Sequence, residues 1–285
     1  LNNQPSNRFL SGMANSSNKI ALFWFRRDLR LQDNAGLYHA LKSGYQVLPM
    51  FIFDTTILDR LNDKADARVS FIHATLLELQ TKFGALGSAM LVRHGNPQEV
   101  WKAILAEFDV AAVYTNRDYE PTAIARDNAV AEMLAQKGIP FQTFKDHIIF
   151  EGDEVLKDDG KPYTVFTPYS RKWKAKLESR MAGGNESFYF KAYPTEKYLG
   201  HLLQIAPLPT PTLQDLGFEP SNIEIPGREV AAGLIKNYHE TRDFPAQLGT
   251  SRLGIHFRFG TVSIREKARK AEKLNTTYLN ELIWR

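Results

Sequence analysis

Residues Ile20 to Asn34 read IALFWFRRDLRLQDN. The apolar run predicts a β-strand from Ile20 to Phe25, and three arginines and two aspartates then crowd the positions at its carboxyl end. Outward from this point, short β-rich runs alternate with amphipathic stretches as far as Phe150. Further strands are expected at Val47 to Phe53, Ala89 to Arg93, Ala111 to Tyr114 and Phe141 to Phe144. Helices are expected at Ala35 to Lys42, Arg68 to Lys82, Pro97 to Phe108 and Thr122 to Lys137, with Gly44, Gly84 and Gly138 as C-terminal stops. Asn96, Pro97 and Glu99 form a helix start with a cap, a first-turn proline and an N3 carboxylate. This alternation predicts an α/β domain over 19–150, a doubly wound five-stranded parallel sheet of Rossmann-like type.

In such a sheet, ligands collect at the carboxyl ends of strands, which is where the charged stretch stands. It lacks the glycines of a dinucleotide fingerprint or a Walker loop, so its backbone cannot cradle a diphosphate in the usual way. A salt-bridged turn and a ligand site are both open readings at this level.

The composition narrows the chemistry. At 285 residues with 43% hydrophobic and 24% charged side chains, the chain can build two ordinary domains and a sizeable core. No apolar stretch approaches the roughly 20 residues that cross a bilayer, and 1–18 form a polar leader, expected to be disordered, without the apolar region of a signal peptide. A cytoplasmic protein is expected. Without cysteine, disulfides, thiolate zinc sites and iron–sulfur clusters are excluded, and none of the seven histidines is paired at metal-ligand spacing. No metal is expected, and any cofactor should be organic.

The net charge of +4 is too mild to define a partner. Two basic groups stand out: Arg171, Lys172, Lys174, Lys176 and Arg180 around Trp173, and Arg258, Arg265, Lys267, Arg269, Lys270 and Lys273. Taken alone, each reads as a solvated helix face. The chain begins at Leu1, with Met13 a plausible start, and stops at Arg285 inside a helical pattern, which reads as a fragment of a longer protein.

From Glu151 to Pro226 the alternation fails. Prolines from Pro162 to Pro226 and the turn Gly183-Gly184-Asn185 predict an ordered, meandering connection, with aromatics such as Tyr163, Phe166, Tyr169, Trp173, Phe188 and Phe190 to pack it. From Gly227 the pattern is helical. One helix is expected at Ala231 to His239, a second runs to Lys273 from a capping box of Ser263 and Glu266, and a third starts near Thr277.

Five segments then occur in a telling order: WFRRDLRLQDN (24–34), NRDYEP (116–121), GKPYTVFTPYSRKW (160–173), YHETRDFP (238–245) with GTSRLGIHFRFG (249–260), and NELIWR (280–285). The chain resembles the photolyase and cryptochrome family, and looks most like the bacterial class I cyclobutane-dimer photolyases. The resemblance spans Lys19 to Arg285. It implies an antenna domain at 19–150, an interdomain connection at 151–226 and, over 227–285, the start of an all-α domain that binds FAD. It also favours a structural ion-pair network for Arg26, Arg27, Asp28, Arg30 and Asp33 over a catalytic one.

The same resemblance implies roles for individual residues. Successive backbone N–H groups at a helix start favour an anion, and by resemblance Thr250, Ser251, Arg252, Leu253 and Gly254 grip the FAD diphosphate and ribityl region. Many relatives have serine where Gly254 stands. Tyr238 matches an FAD contact, and Arg242 matches a position that meets the DNA backbone. At 100° per residue, Tyr278, Glu281, Trp284 and Arg285 share an arc of about 120° on one helix. The match places Tyr278 on the flavin side, assigns Trp284 to stacking on a flipped pyrimidine dimer and Glu281 to a hydrogen bond supporting it, and puts Glu281, Leu282, Ile283, Trp284 and Arg285 on the DNA side.

The function implied for the full-length protein is light-driven, FAD-dependent repair of cyclobutane pyrimidine dimers in DNA, by electron transfer from reduced flavin, by a lyase that works as a monomer. A cryptochrome-type photoreceptor and a fragment inactive for want of the rest of the flavin domain are the alternatives. In folate-binding relatives an Asn-Glu pair follows the Tyr-Glu of NRDYEP, whereas Pro121, Thr122 and Ala123 follow it here, and Ala123 has no carboxylate. The antenna pigment stays open among folate, deazaflavin, flavin mononucleotide and none.

Overall fold

The structure, a computed structural model, describes residues 19–178 and 188–285. The leader, Met13, Arg180 and the Gly183-Gly184-Asn185 turn lie outside the described residues. Five strands, β1 (Ile20–Phe25), β2 (Gln46–Asp54), β3 (Leu91–Gly95), β4 (Val110–Asn116) and β5 (Phe141–Phe144), form one parallel sheet in the order β3-β2-β1-β4-β5. Helices α1 (Ala35–Leu41), α2 (Thr55–Leu58), α3 (Ala67–Ala85), α4 (Pro97–Glu107) and α5 (Pro121–Ala135) connect the strands. Because β1 is central, Ala21, Phe23 and Phe25 join the core on one face while Ile20, Leu22 and Trp24 join the core on the other. Alternate side chains of a strand point to opposite faces, so a strand covered twice must be apolar throughout.

The stretch from Glu151 to Pro226 is more regular than its prolines suggest. It contains α6 (Phe166–Glu178) and two short 3₁₀ turns, Phe188–Phe190 and Thr195–His201. Pro168 stands in the first turn of α6, where an N–H has no acceptor within the helix, so its missing donor is tolerated. Ser170, Trp173 and Leu177 bury one stripe of α6 and leave Arg171 and Lys172 exposed. The following chain is pinned across the sheet edge by Leu203 N to Val47 O at 2.8 Å, Gln80 Nε2 to Leu208 O at 2.7 Å and Glu219 N to Lys64 O at 2.7 Å. Leu202, Leu216 and Phe218 complete the core beneath it.

The helical part consists of α7 (Ala232–Lys236), α8 (Tyr238–Thr241), α9 (Gly254–Arg258), α10 (Ile264–Leu274) and α11 (Thr276–Trp284). The single helix expected over Ala231 to His239 is in fact two. Asn237 leaves helical geometry with φ −93° and ψ 9°, its carbonyl serves the start of α8, and Asn275 Nδ2 donates to the freed Lys236 carbonyl at 2.8 Å. One half of the capping box forms as expected, with Ser263 Oγ accepting from Glu266 N at 3.2 Å, while the Glu266 carboxylate accepts from Lys267 Nζ at 2.9 Å. Among the described residues no helix is long and apolar enough to cross a membrane.

Candidate functional site

The charged stretch after β1 is an internal network that binds the sheet to the helices. Asp146 accepts from Arg30 Nη2 at 2.8 Å and from Arg265 Nη2 at 2.8 Å, while Arg265 Nε reaches Asp33 Oδ1 at 2.9 Å. Asp33 also takes the Ser263 hydroxyl, and Asp28 accepts from Asn116 Nδ2 at 2.6 Å. Arg26 pairs with Asp127, and Arg27 with Asp118 at 2.9 Å. Most of the second basic group is therefore spent inside the fold rather than on a solvated face. Arg265 and Lys267 are buried, Arg269 and Lys270 donate to the carbonyls of Phe190 and Val230, and Arg258 pairs with Glu120 at 2.9 Å.

The residues assigned to flavin gather on one wall. Tyr238 on α8 and Tyr278 on α11 pack ring to ring with centroids 5.0 Å apart, both buried, and Leu253 is buried beside them in the same cluster. Thr250 is exposed and Ser251 half-buried ahead of α9, Arg252 has a left-handed φ of 53°, and no side chain caps the start of α9. Tyr278 Oη is buried with no hydrogen-bond partner of good geometry. Burial pushes the phenol's pKa up, and the nearby Ser251 hydroxyl offsets part of that push. A Cβ added to Gly254 would meet only open space, so the loop presents unfilled room and unspent donors together.

The residues of NELIWR divide. Glu281 turns toward α8 and pairs with Arg242. Trp284 is 58% exposed and stands edge-on to Phe166 at 5.2 Å and near Tyr169 at 6.4 Å. With Leu282, Ile283 and Arg285 it borders an open cleft of about 580 Å³, whose other walls include Tyr119, His147, Phe150 and Tyr163. Arg285 lies over the Phe257 ring at 4.8 Å. The helix arc thus brings Tyr278 and Glu281 to α8 but sends Trp284 to α6. Tyr119 and Glu120 of NRDYEP, Tyr163 of GKPYTVFTPYSRKW and Arg258 of GTSRLGIHFRFG carried a signal in the sequence without a role in this cleft, and His147, outside every motif, was missed.

His147 faces the cleft, and its pKa is pushed down to about 3, chiefly by burial, with Asp146 opposing and Arg27 and Arg30 adding to the shift. A histidine kept neutral in the fold but free to protonate when unfolded contributes stability that is whole above about pH 6.5 and is lost as pH falls toward the folded value. His39 and His256 are shifted down as well. Denaturation midpoints should therefore decline between pH 6.5 and 4, and His147→Gln should flatten part of that decline. An unchanged slope in the variant would show that His147 does not titrate on unfolding.

A doubly wound sheet carrying an edge-pinned connection and a helical layer with an aromatic wall defines a protein of the photolyase and cryptochrome fold. The structure superimposes on a class III photolyase from Agrobacterium tumefaciens with a TM-score of 0.75 at 24% identity, covering 96% of this chain and 59% of that one. On an archaeal photolyase from Sulfolobus tokodaii, solved with two FAD molecules, the TM-score is 0.67 at 26% identity, over 93% of this chain and 57% of that one. The DNA photolyase family model matches residues 21–186. A deoxyribodipyrimidine photo-lyase of Synechococcus sp. is 35% identical over 88% of this chain and 53% of its own length. An uncharacterized 31.6 kDa protein of Synechococcus sp. strain PCC 6716 is 33% identical over 93% of this chain and 98% of its own length. The chain belongs to the DNA photolyase family, and spans about half the length of the Synechococcus photo-lyase.

Proposed function

We propose that this chain carries the antenna-domain fold, the flavin grip and one wall of the lesion site of a deoxyribodipyrimidine photo-lyase, which repairs pyrimidine dimers in DNA under light with FAD as cofactor. The observation that carries the reading is the wall of Tyr238, Leu253 and Tyr278 beside Ser251, with Tyr278 Oη buried and met only by the nearby Ser251 hydroxyl, without good hydrogen-bond geometry. A buried hydroxyl without a partner is unfavourable by about 1–3 kcal/mol, which a polar ligand at the wall would relieve. FAD fits this donor set. The N–H groups at the uncapped start of α9 and the hydroxyls of Thr250 and Ser251 would hold its diphosphate and ribityl oxygens, and Tyr238 with Tyr278 would back it. Bound and reduced, FAD supplies the light-driven electron that opens the cyclobutane ring.

The protein's own contribution is placement. Trp284 offers an exposed aromatic face on which a flipped pyrimidine dimer would stack, and Glu281 provides a carboxylate one turn before it. The domain limits at 150 and 226, the monomeric state, the cytoplasmic location and the assignment of Arg242, Leu282, Ile283 and Arg285 to DNA belong to the same proposal. The antenna pigment among folate, deazaflavin and flavin mononucleotide is left unassigned.

The decisive experiment is loss of pyrimidine dimers from a duplex incubated with the protein and reduced FAD under blue light, against dark and flavin-free controls. In the full-length protein, no light-dependent loss despite bound flavin would replace the repair reading with a cryptochrome-type photoreceptor, whereas failure of this chain alone to hold flavin would favour a fragment inactive for want of the rest of the flavin domain. Trp284→Ala should weaken binding of a dimer-containing duplex by about one to two decades and leave an intact duplex unchanged, because a stacking face contributes roughly 1–3 kcal/mol per base. Equal weakening of both duplexes would remove Trp284 from the lesion site.

A further inference from the structure

We infer that Arg242 and Glu281 form an ion pair that DNA phosphate must break, so that the contact to the backbone and the contact to the lesion are coupled through one side chain. This rests on the assignment of DNA to the α8–α11 face made above. Arg242 is the C-cap of α8, and Glu281 lies 39 residues later in α11, yet Arg242 Nη1 donates to Glu281 Oε1. The Arg242 Nε donates to Asp243 at 3.2 Å, and the guanidinium lies 5.7 Å from the centre of the Tyr238 ring. Since Tyr238 packs on Tyr278, the pair forms a strap across the two helices that carry the aromatic wall.

The pair is placed for exchange rather than for stability. The side chains of Arg242 and Glu281 are 32% and 42% exposed, so a phosphate oxygen can reach the guanidinium from solvent. Carboxylate and phosphate compete for the same planar fork of donors. With Glu281 and Asp243 both in place, the arginine's charge is more than balanced, and the site does not attract a phosphate as a bare arginine would. An exposed pair is weak, so its displacement changes affinity a few-fold rather than by decades. The base of the strap stays still during the exchange. Thr241 Oγ1 donates to Gly249 O at 3.1 Å, and a Cβ on Gly249 would approach Thr241 O to 2.5 Å, so α8 is held tightly to the loop before Thr250. Only the side chains need to move. Once phosphate takes Arg242, the Glu281 carboxylate is free to turn toward a lesion, and this makes Arg242 a positioning residue for Glu281 as well as a backbone contact.

The test is a double-mutant cycle read on an undamaged, fluorescently labelled duplex at low salt. Glu281→Gln should raise affinity about three- to five-fold in the parent and leave it unchanged in Arg242→Ala. A plain lesion contact at Glu281 would leave undamaged DNA unaffected in both backgrounds, and a general charge effect would raise affinity equally in both. Either of those results overturns the competition while leaving the DNA assignment standing. No duplex binding by the unsubstituted protein would instead overturn the DNA assignment, and the inference with it.

Discussion

Asp146→Ala is expected to destabilise the fold by about 3–5 kcal/mol, the loss that follows when one partner of a buried charge network is removed. The carboxylate is fully buried and accepts from Arg30, from Arg265 and, at 3.1 Å, from Ala35 N at the start of α1. Arg265 would keep Asp33, but Arg30 would be left with only the Gly260 and Asp33 carbonyls to face a positive charge that is 8% exposed. Denaturant titrations should show a shifted midpoint with little change in slope. Adding Arg30→Met should recover much of the loss, since an uncompensated buried cation is then gone. A single substitution that shifts stability by under about 1 kcal/mol would mean that water reaches the network, leaving it no more than an exposed pair.

The same carboxylate gives an acid dependence. Burial alone would raise its pKa, but Arg30, Arg265 and His147 outweigh burial and hold the carboxyl well below the usual range. A depressed folded-state pKa contributes stability that is present above the unfolded value, near pH 4, and lost as pH falls further. Asp28 works in the opposite direction, because burial raises its pKa and protonation relieves it. Asp146→Ala should therefore flatten the stability curve below about pH 4, in a window that begins where that of its neighbour His147 is ending.

The second large effect is expected at Gly260. Its φ is +62°, and an added Cβ would stand 2.1 Å from Arg27 O and 2.5 Å from Asp28 Cα, both backbone atoms that cannot swing aside. The left-handed backbone and the overlap together should make Gly260→Ala destabilising by about 2–5 kcal/mol. The clash would also separate Leu29 N from Phe259 O, now 3.0 Å apart, and so open the joint between the signature loop and the helices. Gly233→Ala is the matched control. It lies inside α7 with open space around its Cα, and should be neutral or stabilising by up to about 1 kcal/mol. A Gly260→Ala variant as stable as the Gly233→Ala control would show that the fold tolerates alanine at the joint.

Local chemistry made much of this architecture readable. β1 and β5 have the limits expected from their apolar runs, and the Asn96 and Ser263 caps accept the N–H groups that their spacing implies. Each depends on residues within a few positions of one another, which is the range over which periodicity and capping act. The α6 helix was not legible, because a proline near its start looks like a breaker until the first residue of the helix is known. Phe166 supplies that start, and only its packing against Trp284, more than a hundred residues away in sequence, shows why it belongs there.

The candidate site divides in the same way. The motif order identified Tyr238, Ser251, Tyr278, Glu281 and Trp284 as a set, and the helical arc placed the last three on one stripe. The destinations within that stripe depend on which neighbour each side chain meets: Tyr238 for Tyr278, Arg242 for Glu281, and Phe166 with Tyr169 for Trp284.

By itself, the sequence determined the alternation of strands and helices over the sheet, the capped starts of α4 and α10, and the family. Only the tertiary structure decided that Arg265 is a buried strut and that Arg242 is held by Glu281. Asp33 and Arg265 are 232 positions apart, and a charge on an amphipathic helix carries no mark of the partner that folding brings to it. Pattern reveals which face a helix buries, but the pairing of charges depends on distances that exist only once the chain has closed.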